Sequence, residues 1–532
     1  MDMNKAFYPF LFSIILASGI FLGYKIQDRN ASHYKIYNQG GAGTKLDYIL
    51  QLIDAKYVDT VNQKDLYDKA INQLLNDLDP HSVYLPPVES MHEEEIMAGN
   101  FEGIGIEFMI ASDTIQVVTP ISGGPSEQAG LNAGDKIIKV NDTVVAGIGI
   151  TNDMVMKKLK GPKGSKVKVT VLKNSGKLLS YTIKRDKIPI YSLDAGFLID
   201  KTTGYIKLNR FSKNTYFEFA ERLDSLKNAG MKKLILDLRG NGGGYLDQAV
   251  KIVDEFLDDK KLIVYTEGRT MPRMDETADK VGNFEEGSLA ILIDEGTASA
   301  SEIVSGAIQD WDRGIIIGRR SFGKGLVQEE YPFPDGSTLR LTIAKYYTPS
   351  GRCIQRPYVN GAEEYYESVE DRFKNGEAFV QDSIHNNKKE IYKTKIKGRT
   401  VYGGGGITPD IFIPLDTSMF NPFVTDVLNN NVLNEFSYNY YHSHKAEFAA
   451  YTNIPAFVNN FNVSDALYNE FTLAAFRNGV NQSNAKYMAA SKAYLNTRIK
   501  AYLAKQLFKA DGFYAVIAQN DASVKKALQV LK

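Results

Sequence analysis

The 532-residue chain contains one cysteine, Cys353. A lone thiol closes no intrachain disulfide and builds no cysteine-based zinc site. Histidine is scarce as well: the six are His33, His81, His92, His385, His442 and His444, and none falls between residues 204 and 343. A histidine-built metal centre is therefore disfavoured, and a Ser-His-Asp triad would have to recruit its histidine from outside that stretch. Net charge is missing too, with 63 Lys plus Arg set against 63 Asp plus Glu. That balance removes the basic surface that nucleic acid binding demands. Internal repeats and low-complexity tracts are likewise absent from the sequence.

What is present is an ordinary folding composition, 43% hydrophobic and 24% charged. At about 150 residues per domain, the length predicts three to four domains. From Ala6 to Tyr24 run nineteen uncharged residues between Lys5 and Lys25, close to the roughly twenty that span a bilayer. We read residues 1–27 as an uncleaved signal anchor. A cleavable signal peptide is the rival, but the apolar run continues through Ile20, Phe21 and Leu22 beyond the small residues Ala17, Ser18 and Gly19. The flanking charges do not fix its orientation.

Residues 28–45 read as a tether and 46–98 as a helical segment, with a break at Asp79-Pro80. From residue 99 to 187 short alternating runs separated by glycines predict a compact β module. Its expected strands are Ile115–Val118, Lys136–Val140, Lys166–Leu172 and Leu178–Ile183, and its helices Ser126–Ala129 and Asp153–Leu159. Residues 188–415 have the periodicity of an α/β core. Leu234–Leu238 and Leu289–Ile293 are continuously apolar, as strands buried on both faces are. Asp275–Glu286 and Glu363–Thr394 are polar and are expected to be surface insertions. Residues 416–532 read as helical and aromatic, with no role legible. The fold class is multidomain α+β.

Three features of the core carry chemistry. The strand ending at Ile293 runs into Asp294-Glu-Gly-Thr-Ala298, and Ser299 opens a helix. A serine at such a turn exposes its hydroxyl beside free helix amides, the setting of a nucleophile. On spacing alone, Ser299 capping the helix with Glu302 is the simpler reading. Lys324 stands between Gly323 and Gly325, with Phe322 and Leu326 nearby. It is a general base only if burial lowers its pKa from about 10.4, and a surface lysine in a glycine turn is the plainer alternative. The third is Leu236-Asp-Leu-Arg-Gly-Asn-Gly-Gly-Gly244, whose amides suit an oxyanion better than a phosphate, since no Gly-Lys-Ser/Thr follows.

Together LILDLRGNGGGYLDQAV, ILIDEGTASASEIVSGAIQD, GRRSFGKGLVQ, TLRLTIAKYYTPSGRCIQ and GGGGITPDI resemble the carboxyl-terminal processing proteases, serine endopeptidases with a Ser-Lys pair, over Leu46 to Pro414. The resemblance implies Ser299 as nucleophile, Lys324 as base and Gln328 as the residue orienting the lysine. It implies an oxyanion hole from the amides of Ala300 and Gly243, the position of Gly242 being less uniform in the family. Ser301 and Ser305 are the wrong serines: Ser301 lies about 200 degrees around the helix from Ser299. No metal or other cofactor is implied.

Residues 99–187 resemble the PDZ domain of that family. Gly103, Ile104, Gly105 and Ile106 match its carboxylate-binding loop, and Ser122–Leu131 and Ala133–Asn141 its helix and following strand. The implied partners are protein or peptide substrates with apolar carboxyl termini, captured by strand addition. Arg185 is the implied coupling residue between this module and the core. The resulting expectation is an inner-membrane-anchored, envelope-facing endopeptidase with its catalytic domain on the periplasmic side. For residues 416–532 oligomerisation, partner binding and envelope contact are all open, and the sequence does not choose among them. The alternative is a membrane-tethered PDZ adaptor with an inactive core.

Overall fold

Along the central strands, Leu234, Leu236, Leu289, Ile291 and Ile293 alternate with Ile235, Ala290 and Leu292, and each set faces a different hydrophobic core. Side chains of successive strand residues point to opposite faces, so a strand apolar at every position needs cover on both sides. The computed structural model, which describes residues 18–19 and 42–531 apart from 122, 174, 259, 384–389 and 418–419, shows what supplies it.

The strands form a six-stranded sheet in the order Leu193–Leu198, Thr203–Leu208, Lys233–Asp237, Ser288–Ile293, Ile315–Gly318, Ile411–Phe412. The first pair is antiparallel and the others parallel. Thr215–Asn228, Leu246–Asp254 and Ala300–Asp310 contribute Phe219, Ile252 and Val304 to one core. On the opposite face, Phe423, Phe457, Phe471, Leu495 and Ala527 from the carboxyl-terminal helices pack with Tyr205, Ile235, Leu292 and Ile317. Residues beyond 415, whose role the sequence leaves open, thus form the second helical layer of this sheet. Asp521 pins them there through an ion pair with Arg239 at 2.7 Å. The last long helix, Met488–Asn520, is interrupted by non-helical backbone at Phe508 and Lys509.

A second sheet, five-stranded, runs Val83–Leu85, Thr338–Tyr347, Leu262–Glu267, Met274–Thr277, with Leu326–Pro332 also paired to Thr338–Tyr347. Residues 46–98, read as one helical segment, are therefore divided. Ala42–Lys56 and Gln63–Asn76 are helices of a separate unit ending at Asn76, and the first begins within the stretch read as tether. Beyond it, Val83–Leu85 joins the core as a strand and Pro87–Ala98 is helical. The insertions also differ from expectation. Ala278 and Phe284 are buried in the core, and the helix Ala362–Lys374 buries Tyr365 and Arg372.

The β module has strands Ile106–Ala111, Thr114–Pro120, Lys136–Val140, Lys166–Leu172 and Leu178–Lys184 in that spatial order, with helices Pro125–Ala129 and Asn152–Leu159. It joins the core through an antiparallel ribbon of Asn100–Gly103 against Asp186–Pro189. The anchor read at Ala6–Tyr24 lies outside the described residues but for Ser18 and Gly19; among those described, no helix is long and apolar enough to cross a membrane.

Candidate active site

Three adjacent parallel strands, Lys233–Asp237, Ser288–Ile293 and Ile315–Gly318, deliver three loops to one edge of the sheet. That edge lies beyond their carboxyl ends, the place where open α/β sheets bind ligands. The glycine loop follows the first, Ser299 the second and Lys324 the third.

Ser299 is half-buried at φ 55°, ψ −117°, a left-handed conformation costly for a residue with a side chain. Glu302 holds it. The Ser299 N–H donates to Glu302 Oε2 at 2.9 Å, the glutamate half of the anticipated cap. The same carboxylate, fully buried, also accepts from the Lys324 amide at 2.9 Å, the Gly323 amide at 2.8 Å and Ser321 Oγ at 2.5 Å. Burial pushes the Glu302 carboxyl up, against the pull of these donors. Glu302 is thus a buckle between the serine turn and the lysine loop. Tyr346 is a second: its buried hydroxyl donates to the Ser299 carbonyl at 3.1 Å and to that of Lys324.

Lys324 is partly buried, and its amine is lowered to about 8. Burial is the largest cause, the Arg340 charge adds to it, and Asp79 and Glu302 oppose it. About a tenth of the amine is therefore uncharged at pH 7 and half near pH 8, the form a general base requires.

On the other side of Ser299, a Cβ at Gly243 would lie 2.8 Å from Ser299 Cβ and 3.0 Å from the Ala300 nitrogen, so only glycine fits. The Ala300 N–H has no acceptor among the described residues, whereas that of Gly243 donates to Asn241 Oδ1 at 2.9 Å. Fully buried Asn241 organises this loop: its carbonyl accepts from the Ala298 amide and from Ser301 Oγ, and its Nδ2 donates to the Leu208 carbonyl. Gly242 is exposed, with open space where a Cβ would lie. Ser301 and Ser305 are buried, the latter donating to the Ser301 carbonyl.

Gln328 lies on Leu326–Pro332, and the hydrogen bond its side-chain amide makes among the described residues goes to Thr342 Oγ1, at 3.3 Å. His81 reaches this site from the amino-terminal side of the β module. Its Nε2 pairs with the Tyr365 hydroxyl at 2.9 Å, and burial, then the Lys324 charge, lower it to about 3, so it is uncharged. The histidine arrives as a neutral neighbour of the lysine. Arg356 stacks between Phe322 and Tyr365, 4.3 and 4.1 Å from their ring centres.

In the β module, the Ile104 and Gly105 amides have no acceptor among the described residues, while the Ile104 carbonyl is taken by Ser126. Ile106–Ala111 is an edge strand paired, among the described residues, only with Thr114–Pro120. An open edge beside free amides is the arrangement for adding an extended peptide by its carboxylate. Arg185 closes the carboxyl end of the helix Asn152–Leu159, donating to the carbonyls of Leu159 at 2.9 Å and Lys158 at 3.1 Å. Cations are favoured there by the helix dipole. The connecting ribbon begins at the next residue.

Comparison with known proteins assigns the domains to families. The profile of peptidase family S41 matches residues 202–363, that of the PDZ domain 103–184, and that of a family of unknown function 423–509. The carboxy-terminal processing protease CtpA of Bacillus subtilis is 31% identical over 414 residues, 75% of this chain and 87% of that protein. A probable CtpA-like serine protease of Staphylococcus aureus is 33% identical over 343 residues, 64% of this chain and 67% of that one. Among solved structures, a photosystem II D1 C-terminal processing protease is 26% identical, covering 69% of this chain and 86% of its own, at a TM-score of 0.34. The protein is a serine-type peptidase carrying a PDZ domain. It belongs to the carboxyl-terminal processing proteases, and the inactive-adaptor alternative is left without support.

Proposed function

We propose that the chain cleaves proteins selected by their carboxyl-terminal tails, with Ser299 as nucleophile and Lys324 as base, while anchored by residues 1–27 and facing the cell envelope. The observation that carries this reading is the pair of clamps, Glu302 and Tyr346, that ties the Ser299 turn to the Lys324 loop. The lowered lysine supports it.

Uncharged Lys324 Nζ takes the Ser299 proton as Oγ attacks the scissile carbonyl carbon. The Ala300 amide, with that of Gly243 turned from Asn241, donates to the oxyanion. The lysine ammonium then protonates the departing amine, leaving an acyl-serine. Water gives a proton to the Lys324 amine as it attacks the ester carbonyl, and the ammonium returns that proton to Ser299 Oγ as the new carboxylate leaves. Gln328 orients the lysine. The Gly103–Ile106 loop holds the substrate's terminal carboxylate, and Arg185 links that helix and loop to the ribbon entering the core.

Amidating the apolar tail of a model substrate removes the carboxylate and is expected to raise KM about tenfold or more with kcat little changed, since a charge-assisted contact is lost. Unchanged KM would refute tail capture. Cells expressing the full chain should retain it in the membrane fraction, and a chain lacking residues 1–27 should leave that fraction; equal retention would refute the anchor.

A further inference from the structure

Residues 77–85 precede the PDZ domain in sequence, yet Val83–Leu85 is added to one edge of Thr338–Tyr347 while Leu326–Pro332, carrying Gln328, is added to the other. Arg340 is paired with Val83 on one side and Glu330 on the other. Asp79, at the head of this segment, is only 6% exposed. Its Oδ1 accepts from the amides of His81 and Ser82 at 2.8 and 2.9 Å, and its Oδ2 from Ser82 Oγ at 2.6 Å. Those bonds make a local turn. One more is not local: Thr342 Oγ1, 263 residues away, donates to Asp79 Oδ1 at 3.0 Å. Thr342 Oγ1 in turn accepts from Gln328 Nε2, and the Thr342 amide donates to Ser82 Oγ at 3.1 Å. A chain of hydrogen bonds thus runs from a buried carboxylate to the side chain read as orienting the base.

We propose that Asp79 is a positioning residue of the active site, holding Gln328 through Thr342 and presenting a fixed negative charge to the Lys324 amine. The assignment rests on Lys324 being the base. The charged groups acting on Lys324 are Arg340 from Thr338–Tyr347, Glu302 from Ala300–Asp310 and Asp79 itself, with His81 beside it uncharged. Of these, Asp79 and Glu302 favour the ammonium and Arg340 disfavours it. Removing the Asp79 charge therefore lowers the lysine pKa further, and the acid limb of the rate profile moves to lower pH.

The test is the pH-rate profile of the full chain on a protein with an apolar tail. Asp79→Ala removes both the Oδ1 acceptor and the charge. It is expected to lower kcat about tenfold or more with KM unchanged, the scale of a misplaced catalytic group, and to shift the acid limb downward. Thr342→Val should lower kcat similarly with the acid limb in place, and Thr342→Ser, which restores the hydroxyl, should recover it. The double variant Asp79→Ala/Thr342→Val should be no slower than the worse single one, because both break one chain. An Asp79→Ala enzyme with the wild-type kcat, or with an unmoved acid limb, overturns the proposal. So does a Thr342→Ser enzyme as slow as Thr342→Val, a comparison that holds even if Asp79→Ala fails to fold. Wild-type activity in Lys324→Ala would instead refute the base itself.

Discussion

Ser299→Ala is expected to abolish cleavage while leaving the fold intact. Removing the nucleophile of a well-studied serine protease costs about a million-fold in kcat, and no neighbouring hydroxyl here can replace it. Ser301 is two residues away but fully buried, its Oγ committed to the Asn241 carbonyl at 3.0 Å. Ser305 is equally enclosed. The alanine at 299 retains the two backbone contacts that fix the turn, the amide to Glu302 and the carbonyl to Tyr346. Thermal unfolding should therefore be nearly unchanged; relief of the left-handed backbone conformation is not expected, because alanine keeps its Cβ. Ser301→Ala loses one buried hydrogen bond, about 1 kcal/mol, and should still cleave. Survival of cleavage in Ser299→Ala, or equal loss in Ser301→Ala, would show the nucleophile to be misassigned. The readout is fragment release with the melting curve of each variant beside it.

Lys324→Ala should be as inactive as the serine variant within tenfold, since nucleophile and base act as one unit and their losses do not add. In the wild type the sign of the pH dependence follows from the amine. Its pKa lies near 8, and only the uncharged form accepts the serine proton. Activity should therefore rise with pH to about 8 and fall about tenfold per unit below it. Lys324→Arg keeps a cation but cannot deprotonate in this range, and should remain inactive at every pH. A wild-type rate flat down to about pH 5 would contradict a lysine base even if its pKa were depressed to about 7. His81 does not offer that profile, since burial lowers it to about 3.

The local signals were legible. Continuous apolar runs gave the strands Lys233–Asp237 and Ser288–Ile293, and Ser299 and Lys324 stood out at turns after strands. The groups that assemble the site were hidden for one physical reason: their partners are distant in sequence. Glu302 reads as a cap because Ser299 is three residues away, but three of its four donors come from Ser321, Gly323 and Lys324. Asp79 reads as a turn and His81 as a peripheral histidine, since nothing local announces contact with Thr342 or Tyr365. Asn241, lost among glycines, organises the oxyanion loop. The carboxyl-terminal layer was half announced. Strands apolar on both faces require two covers, and the helices between residues 215 and 310 supply one; the remaining face called for Phe423, Phe457 and Leu495.

The most direct test is the rate at which a fluorophosphonate attaches to the enzyme across pH, with the modified residue located by peptide mass spectrometry. A serine activated by an uncharged amine requires a single adduct at Ser299, formed ever faster up to a plateau near the lysine pKa and lost in Lys324→Ala. An adduct on another serine, or Ser299 labelled equally fast in Lys324→Ala, would contradict it.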